Sequence, residues 1–81
     1  MLSFDGNTVG RAIKALRTER HLSQDVLSGL AGIARTHLTM IETGAKLPNL
    51  GTLCKLSDAL GMRPSEVIRF MEDLSVMAID P

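Results

Sequence analysis

Eighty-one residues, 44% of them hydrophobic and 22% charged, suit one domain with a real core and exclude wholesale disorder. Phe4 and Phe70 are the whole aromatic content, which disfavours a β-sandwich or small barrel; the apolar mass is mostly Leu, Ala, Ile and Met, three of which are strong helix formers. Nine basic and nine acidic side chains cancel, so net charge by itself excludes a non-specific polycation.

Hydrophobic period and punctuation predict five helices, an all-α chain. The first spans about Thr8 to Arg20, with Asn7 or Thr8 as its cap and Val9, Ala12, Ile13 and Leu16 on one stripe. The second opens at Ser23, a good N-cap, turns Val26, Leu27, Leu30 and Ala31 to its apolar side, and stops at Gly32. The third runs from about Arg35 to Glu42, with Leu38 and Ile41 inward, and ends at Gly44. The fourth follows Pro48-Asn49, carries Leu50, Leu53, Leu56 and Leu60, and stops at Gly61. The fifth starts at Pro64, a favoured first-turn residue, and shows Val67, Ile68, Met71 and Leu74 at helical spacing.

Helices two and three are each about two turns long, too short to persist alone in water, so packing must hold them. Gly32-Ile33-Ala34 is the entire connection between them, with Ile33 expected to be buried in the turn. Two short helices so joined meet at a steep angle, a helix-turn-helix.

Several functions are excluded by what is missing. Cys54 is the single cysteine, so an internal disulfide or multi-cysteine zinc site is ruled out; it reads as a small buried hydrophobe. The first seven residues lack the basic and apolar runs of a signal peptide, and no apolar stretch approaches the ~18 residues of a membrane span, so a reducing cytoplasm is the expected compartment. No HExxH, phosphate loop or nucleophile elbow is present, and the two histidines and the cysteine are not at ligand spacing. The chain is expected to be no enzyme and to take no metal or cofactor.

Ser23-Gln24-x-x-Leu27-x-x-x-Ala31-Gly32-Ile33, then Leu38, Ile41-Glu42-x-Gly44, Pro48, Leu53 and Leu60-Gly61, resemble the phage-repressor-like, or Xre-type, helix-turn-helix family over about Val9 to Ile68. Size, the apolar segment after Met62 and Arg35-Thr36 look most like the controller regulators of restriction–modification systems. The resemblance implies a compact five-helix DNA-binding domain over residues 1–81. It implies a transcriptional regulator with helix three in the major groove of double-stranded DNA. The alternative on the same scaffold is a protein-interaction module such as an antitoxin.

A recognition helix presents polar residues outward at its N-terminal end while apolar residues anchor the other face. Arg35, Thr36, Thr39 and Met40 are therefore the expected base readers, with the Arg35 fork suited to O6 and N7 of guanine. The resemblance places Ser23, Gln24, Thr43 and Lys46 beside phosphates, the first two at a helix N-terminus that already favours anions. It also makes Arg17 and Glu42 a structural ion pair. The family usually carries Arg or Asn where Thr43 sits and often a basic residue where Ala45 sits, departures that weaken the expected phosphate clamp; two others weaken the motif. Ala34 stands where a capping Ser or Thr is usual, and Gly29 lies inside helix two; each is worth up to about 1 kcal/mol. His37 reads as a surface and packing residue, and His21 suits a helix C-terminus.

Val67, Ile68, Phe70, Met71 and Leu74, followed by Val76, Met77 and Ile79, exceed what one small core uses. Residues 64–79 are therefore expected to pair two copies, setting two recognition helices ~34 Å apart on a palindromic operator. The neutral total also divides. Residues 1–55 hold seven basic and four acidic side chains, a surplus of three positive; residues 56–81 hold two basic and five acidic, a surplus of three negative. A basic helix-turn-helix half can attract DNA while the acidic end stays away from it.

Overall fold

The computed structural model describes residues 4–79, with side chains for residues 4–76. Five helices follow in order: α1 (Gly6–Glu19), α2 (Gln24–Ala31), α3 (Arg35–Glu42), α4 (Leu50–Ala59) and α5 (Pro64–Ile79). Residues 4–79 contain no strand. Helix α1 lies between α3 and α5, while α2 packs on α3 and α4, and α4 meets α5. Ile13, Leu27, Leu38, Ile41, Leu56 and Val67 are fully buried at the centre of this arrangement. Every helix thus contributes at least one residue to a single core, which is how two-turn helices become stable.

Side-chain caps set where the helices begin. Asp5, not Asn7 or Thr8, caps α1: its carboxylate accepts the Thr8 N–H at 2.7 Å, so the helix starts two residues before the expected point. Hydrogen bonds from the Thr8 backbone and hydroxyl hold the Asp5 carboxyl below its ordinary range. Ser23 Oγ accepts from Val26 N–H at 3.1 Å, and Asn49 Oδ1 from Thr52 N–H at 2.8 Å. Glu66 reaches back to the Arg63 N–H at 2.9 Å, the return half of a capping box. Ala34 provides no such bond to α3.

Three helices end alike. After α1, α2 and α4, the residues His21, Gly32 and Gly61 take left-handed backbone angles. The next N–H in each case, from Leu22, Ile33 or Met62, bonds the carbonyl five residues back. All three of these following residues are apolar and pack against the core, the contact that accompanies this type of helix end. His21, at φ +56°, is the one non-glycine among them. His21→Gly is therefore expected to stabilise the fold by about 0.5–1 kcal/mol, measured as a higher urea midpoint with an unchanged slope.

Four expectations about burial are corrected. Val26 and Leu30 are 48% and 63% exposed, because an eight-residue helix turns only a narrow stripe inward, here Leu27, Ser28 and Ala31. Leu50, at the first position of α4, points to solvent. Cys54 is exposed rather than buried, since the inward stripe of α4 runs through Leu53, Leu56, Ser57 and Leu60. Val67 and Met71, assigned above to a dimer face, are 0% and 3% exposed within the single chain; they complete its own core and have no area left for a second copy. Ile68, Phe70 and Leu74 are half-buried against that core, and Val76 is exposed. The side chains of Met77 and Ile79 lie outside the described residues.

Candidate nucleic-acid interface

The inner face of α3 consists of Leu38, Ile41 and Glu42, all buried. Arg35, Thr36 and Met40 are exposed on the other side, and Thr39 is half-buried at its edge. Leu38 and Ile41, one turn apart, set the inward face, and Met40 between them faces away.

A chain of side-chain bonds fixes the helix from behind. Arg17 of α1 donates through Nε to Glu42 Oε2 at 2.7 Å and through Nη2 to Glu42 Oε1 at 2.9 Å, a two-pronged fork. Its third nitrogen, Nη1, donates to the Leu22 carbonyl at 2.8 Å. The side chains are 11% and 3% exposed, and the hydrogen bonds to Glu42 raise the pKa of Arg17 above its ordinary value. Glu42 Oε1 also accepts from Gln24 Nε2 at 3.0 Å, and Gln24 Oε1 accepts from the Thr39 hydroxyl at 3.1 Å. Three helices, α1, α2 and α3, are thus joined through one carboxylate.

These bonds restrict what the expected contact residues can offer. Gln24 keeps one of its two amide hydrogens for an outside acceptor, the other being donated to Glu42. Thr39 has one hydroxyl proton and two internal acceptors, Gln24 Oε1 and the Arg35 carbonyl, each at 3.1 Å. Thr43 caps the end of α3, its hydroxyl donating to the Met40 carbonyl at 3.2 Å. Lys46 is exposed in the same loop, its backbone N–H bonded to the Met40 carbonyl. Ser23 accepts as the α2 cap, and His37 is half-buried.

Two arginines counted above among the basic residues have other partners. Arg20 donates through Nε to the Leu60 carbonyl at 2.9 Å and through Nη1 to the Leu16 carbonyl at 3.1 Å, tying the end of α1 to the end of α4. Arg35 Nε lies 3.4 Å from Asp25 Oδ1. Neither arrangement was foreseen; the signal for the second is an acidic residue in the first turn of α2, across a tight turn from the first residue of α3.

An apolar cavity of about 230 Å³ lies among Phe4, Val9, Leu47, Pro48, Leu53, Ile68 and Met71. No titratable side chain lines it, so it has no groups for acid–base or nucleophilic chemistry. Among the described residues, no cluster of three His, Cys, Asp or Glu side chains is placed to hold a metal ion, and no helix is long and apolar enough to cross a membrane.

Two short helices across a three-residue turn, the second anchored on its inner face and polar on its outer face, define a helix-turn-helix protein. The chain belongs to the helix-turn-helix family, of the Xre or phage-repressor-like type: the family model matches residues 13–67. It is 41% identical over 61 residues to an immunity repressor protein of Bacillus phage phi105, a match covering 75% of this chain and 42% of the repressor's length. Among solved structures, it resembles the restriction-modification controller protein C.AhdI from Aeromonas hydrophila, with a TM-score of 0.74 and 32% identity over 76% of this chain and 94% of that one. It also resembles SinR, a master regulator for biofilm formation crystallised in complex with DNA, with a TM-score of 0.69 and 30% identity over 74% and 97% of the two chains.

Proposed function

We propose that this chain is a sequence-specific DNA-binding transcriptional regulator that inserts α3 into the major groove and binds a palindromic operator as a homodimer. The observation that carries this reading is the two-faced third helix. Leu38, Ile41 and the forked Glu42 hold it from within, while Arg35, Thr36 and Met40 stand exposed. Arg35 has the donor geometry for guanine, Thr36 can bond a base or touch a thymine methyl, and Met40 makes apolar contact. Thr39, with its proton engaged internally, offers lone pairs and therefore suits an amino-bearing base edge. Ser23, Gln24, Thr43 and Lys46 lie at the two ends of the motif, where they would meet the flanking phosphates. The repressor, controller and DNA-bound relatives support the same reading.

Ile68, Phe70, Leu74 and Val76 carry the dimer part of the proposal, as the apolar residues of α5 that the single chain leaves partly uncovered. Sedimentation should show a concentration-dependent monomer–dimer equilibrium that Phe70→Glu shifts toward monomer.

Selection of duplexes from a random pool tests the central claim. A palindromic consensus is expected, and Arg35→Ala should cost about 1–3 kcal/mol on the selected site and less on unrelated DNA. Equal loss on every sequence would reassign Arg35 to phosphate. Selection of no sequence would leave the protein-interaction reading.

A further inference from the structure

Asp25 is the unexpected acidic residue beside the motif. It follows Gln24 in the first turn of α2, and its carboxylate sits against one edge of Arg35, Oδ1 to Nε at 3.4 Å. Both side chains are largely exposed, 71% for Asp25 and 62% for Arg35, and an open pair of this kind adds little to folding. Nor does α2 need Asp25 as its cap, since Ser23 already accepts the Val26 N–H. A carboxylate at this place has a different consequence. It stands beside the residue expected to enter the groove and is repelled by the same phosphates that attract arginine.

Resting on the regulator reading above, we propose that Asp25 is a specificity-determining residue that neutralises Arg35 toward phosphate while leaving it able to read guanine. The closest approach of the pair is through Nε, and among the described residues Nη1 and Nη2 of Arg35 donate no hydrogen bond. Those two donors are the prongs that match O6 and N7 of guanine. At distances beyond a few ångströms the pair acts as a dipole rather than a charge, and its attraction for a phosphate backbone falls accordingly. At contact distance a guanine edge still meets two donors. Asp25 thereby removes the sequence-independent part of the Arg35 interaction and retains the sequence-dependent part. Arg17 is likewise paired, inside the fold, with Glu42, so its charge too is withheld from the phosphates.

The test compares the full-length chain with Asp25→Asn, Asp25→Glu, Arg35→Ala and the Asp25→Asn/Arg35→Ala double variant. Fluorescence anisotropy is read on the selected duplex and on an unrelated duplex of equal length, from about 50 to 200 mM salt. Asp25→Asn is expected to bind unrelated DNA about threefold to tenfold more tightly. Its gain on the selected site should be smaller, so the ratio of specific to non-specific affinity falls. Its salt slope on unrelated DNA should steepen by about 0.9, one further phosphate contact. Asp25→Glu should keep the original ratio, and in the Arg35→Ala background the Asn substitution should gain much less. An unchanged ratio in Asp25→Asn overturns the inference, as does an equal gain with and without Arg35, which would mean simple repulsion of DNA by Asp25. If the unaltered chain selects no sequence, the regulator reading falls and this inference with it; a selected sequence with an unaltered ratio removes this inference alone.

Discussion

Gly10→Ala is expected to melt at least about 12 °C below the unaltered protein, a loss of about 3 kcal/mol or more. Alanine is the better helix former by about 1 kcal/mol, so on an open helix the same change would stabilise. At Gly10 the α1 backbone runs directly against the last turn of α3: an added Cβ would overlap the Ile41 carbonyl oxygen and lie 2.6 Å from that of Glu42. Both obstacles are backbone, so no side-chain rotation relieves the overlap and the two helices must separate. Gly6, one turn earlier, meets the Gly44 carbonyl in the same way. Gly29 supplies the contrast, because a Cβ there meets nothing within 4 Å. Gly29→Ala should therefore raise the melting temperature by a few degrees. Thermal melts of the two variants side by side decide the matter, and a Gly10→Ala protein as stable as the original would mean that α1 and α3 can part without penalty.

The second large effect concerns the carboxylate that joins three helices. Arg17→Ala is expected to destabilise by about 3–5 kcal/mol, because it strands a buried Glu42 with only the Gln24 amide for a partner. Glu42→Ala should cost a similar amount, leaving the Arg17 fork with the Leu22 carbonyl alone. Removing both charges together, as Arg17→Met with Glu42→Leu, should recover much of the loss, since an apolar pair carries no desolvation penalty. Urea unfolding of the two single variants and the double measures the coupling. A double variant that loses the sum of the two singles would show that the side chains act independently. Stability in these variants is one readout; the orientation of α3 is another, because Gln24 and Thr39 hang on the same carboxylate. The double variant can therefore recover its melting temperature and still discriminate DNA sequences less well.

The helices and the tight turn were legible because most boundaries carry local chemistry: Ser23 and Asn49 cap, Gly32 and Gly61 reverse the backbone, and Pro64 begins a first turn. The outward set on α3 was legible for the same kind of reason, following from the spacing of Leu38 and Ile41. What escaped was long-range or depended on register. Gly10 looks like an ordinary weak helix residue until α3 is laid across it; the one hint is a second glycine, Gly6, four residues earlier on the same side of α1. Asp25 and Arg35 are ten residues apart on separate helices, and Arg20 finds its partner forty residues on, at Leu60. The Arg20 pairing has no local signature, and the Asp25 pairing shows only as an acidic residue in the first turn of α2, across the tight turn from Arg35. Cys54, Val26 and Leu30 face outward despite their apolar character, because in helices of eight to ten residues a single position decides inward or outward. At α5 the apolar residues divide: Val67 and Met71 belong to the chain's own core, Ile68, Phe70 and Leu74 are half-buried against it, and Val76 is exposed.

The anchoring of α3 from behind separates two demands that often conflict. Its attachment to the rest of the molecule runs through Leu38, Ile41, Glu42 and the glycine backbone of α1. None of these is an outward position. Thr36 and Met40 can therefore be exchanged for other side chains with little effect on folding, whereas Thr39 is tied to Gln24 and cannot. Under the regulator reading proposed above, mutational drift would change what the protein recognises faster than it erodes its thermal stability, giving descendants with the same fold and mutually silent target sites.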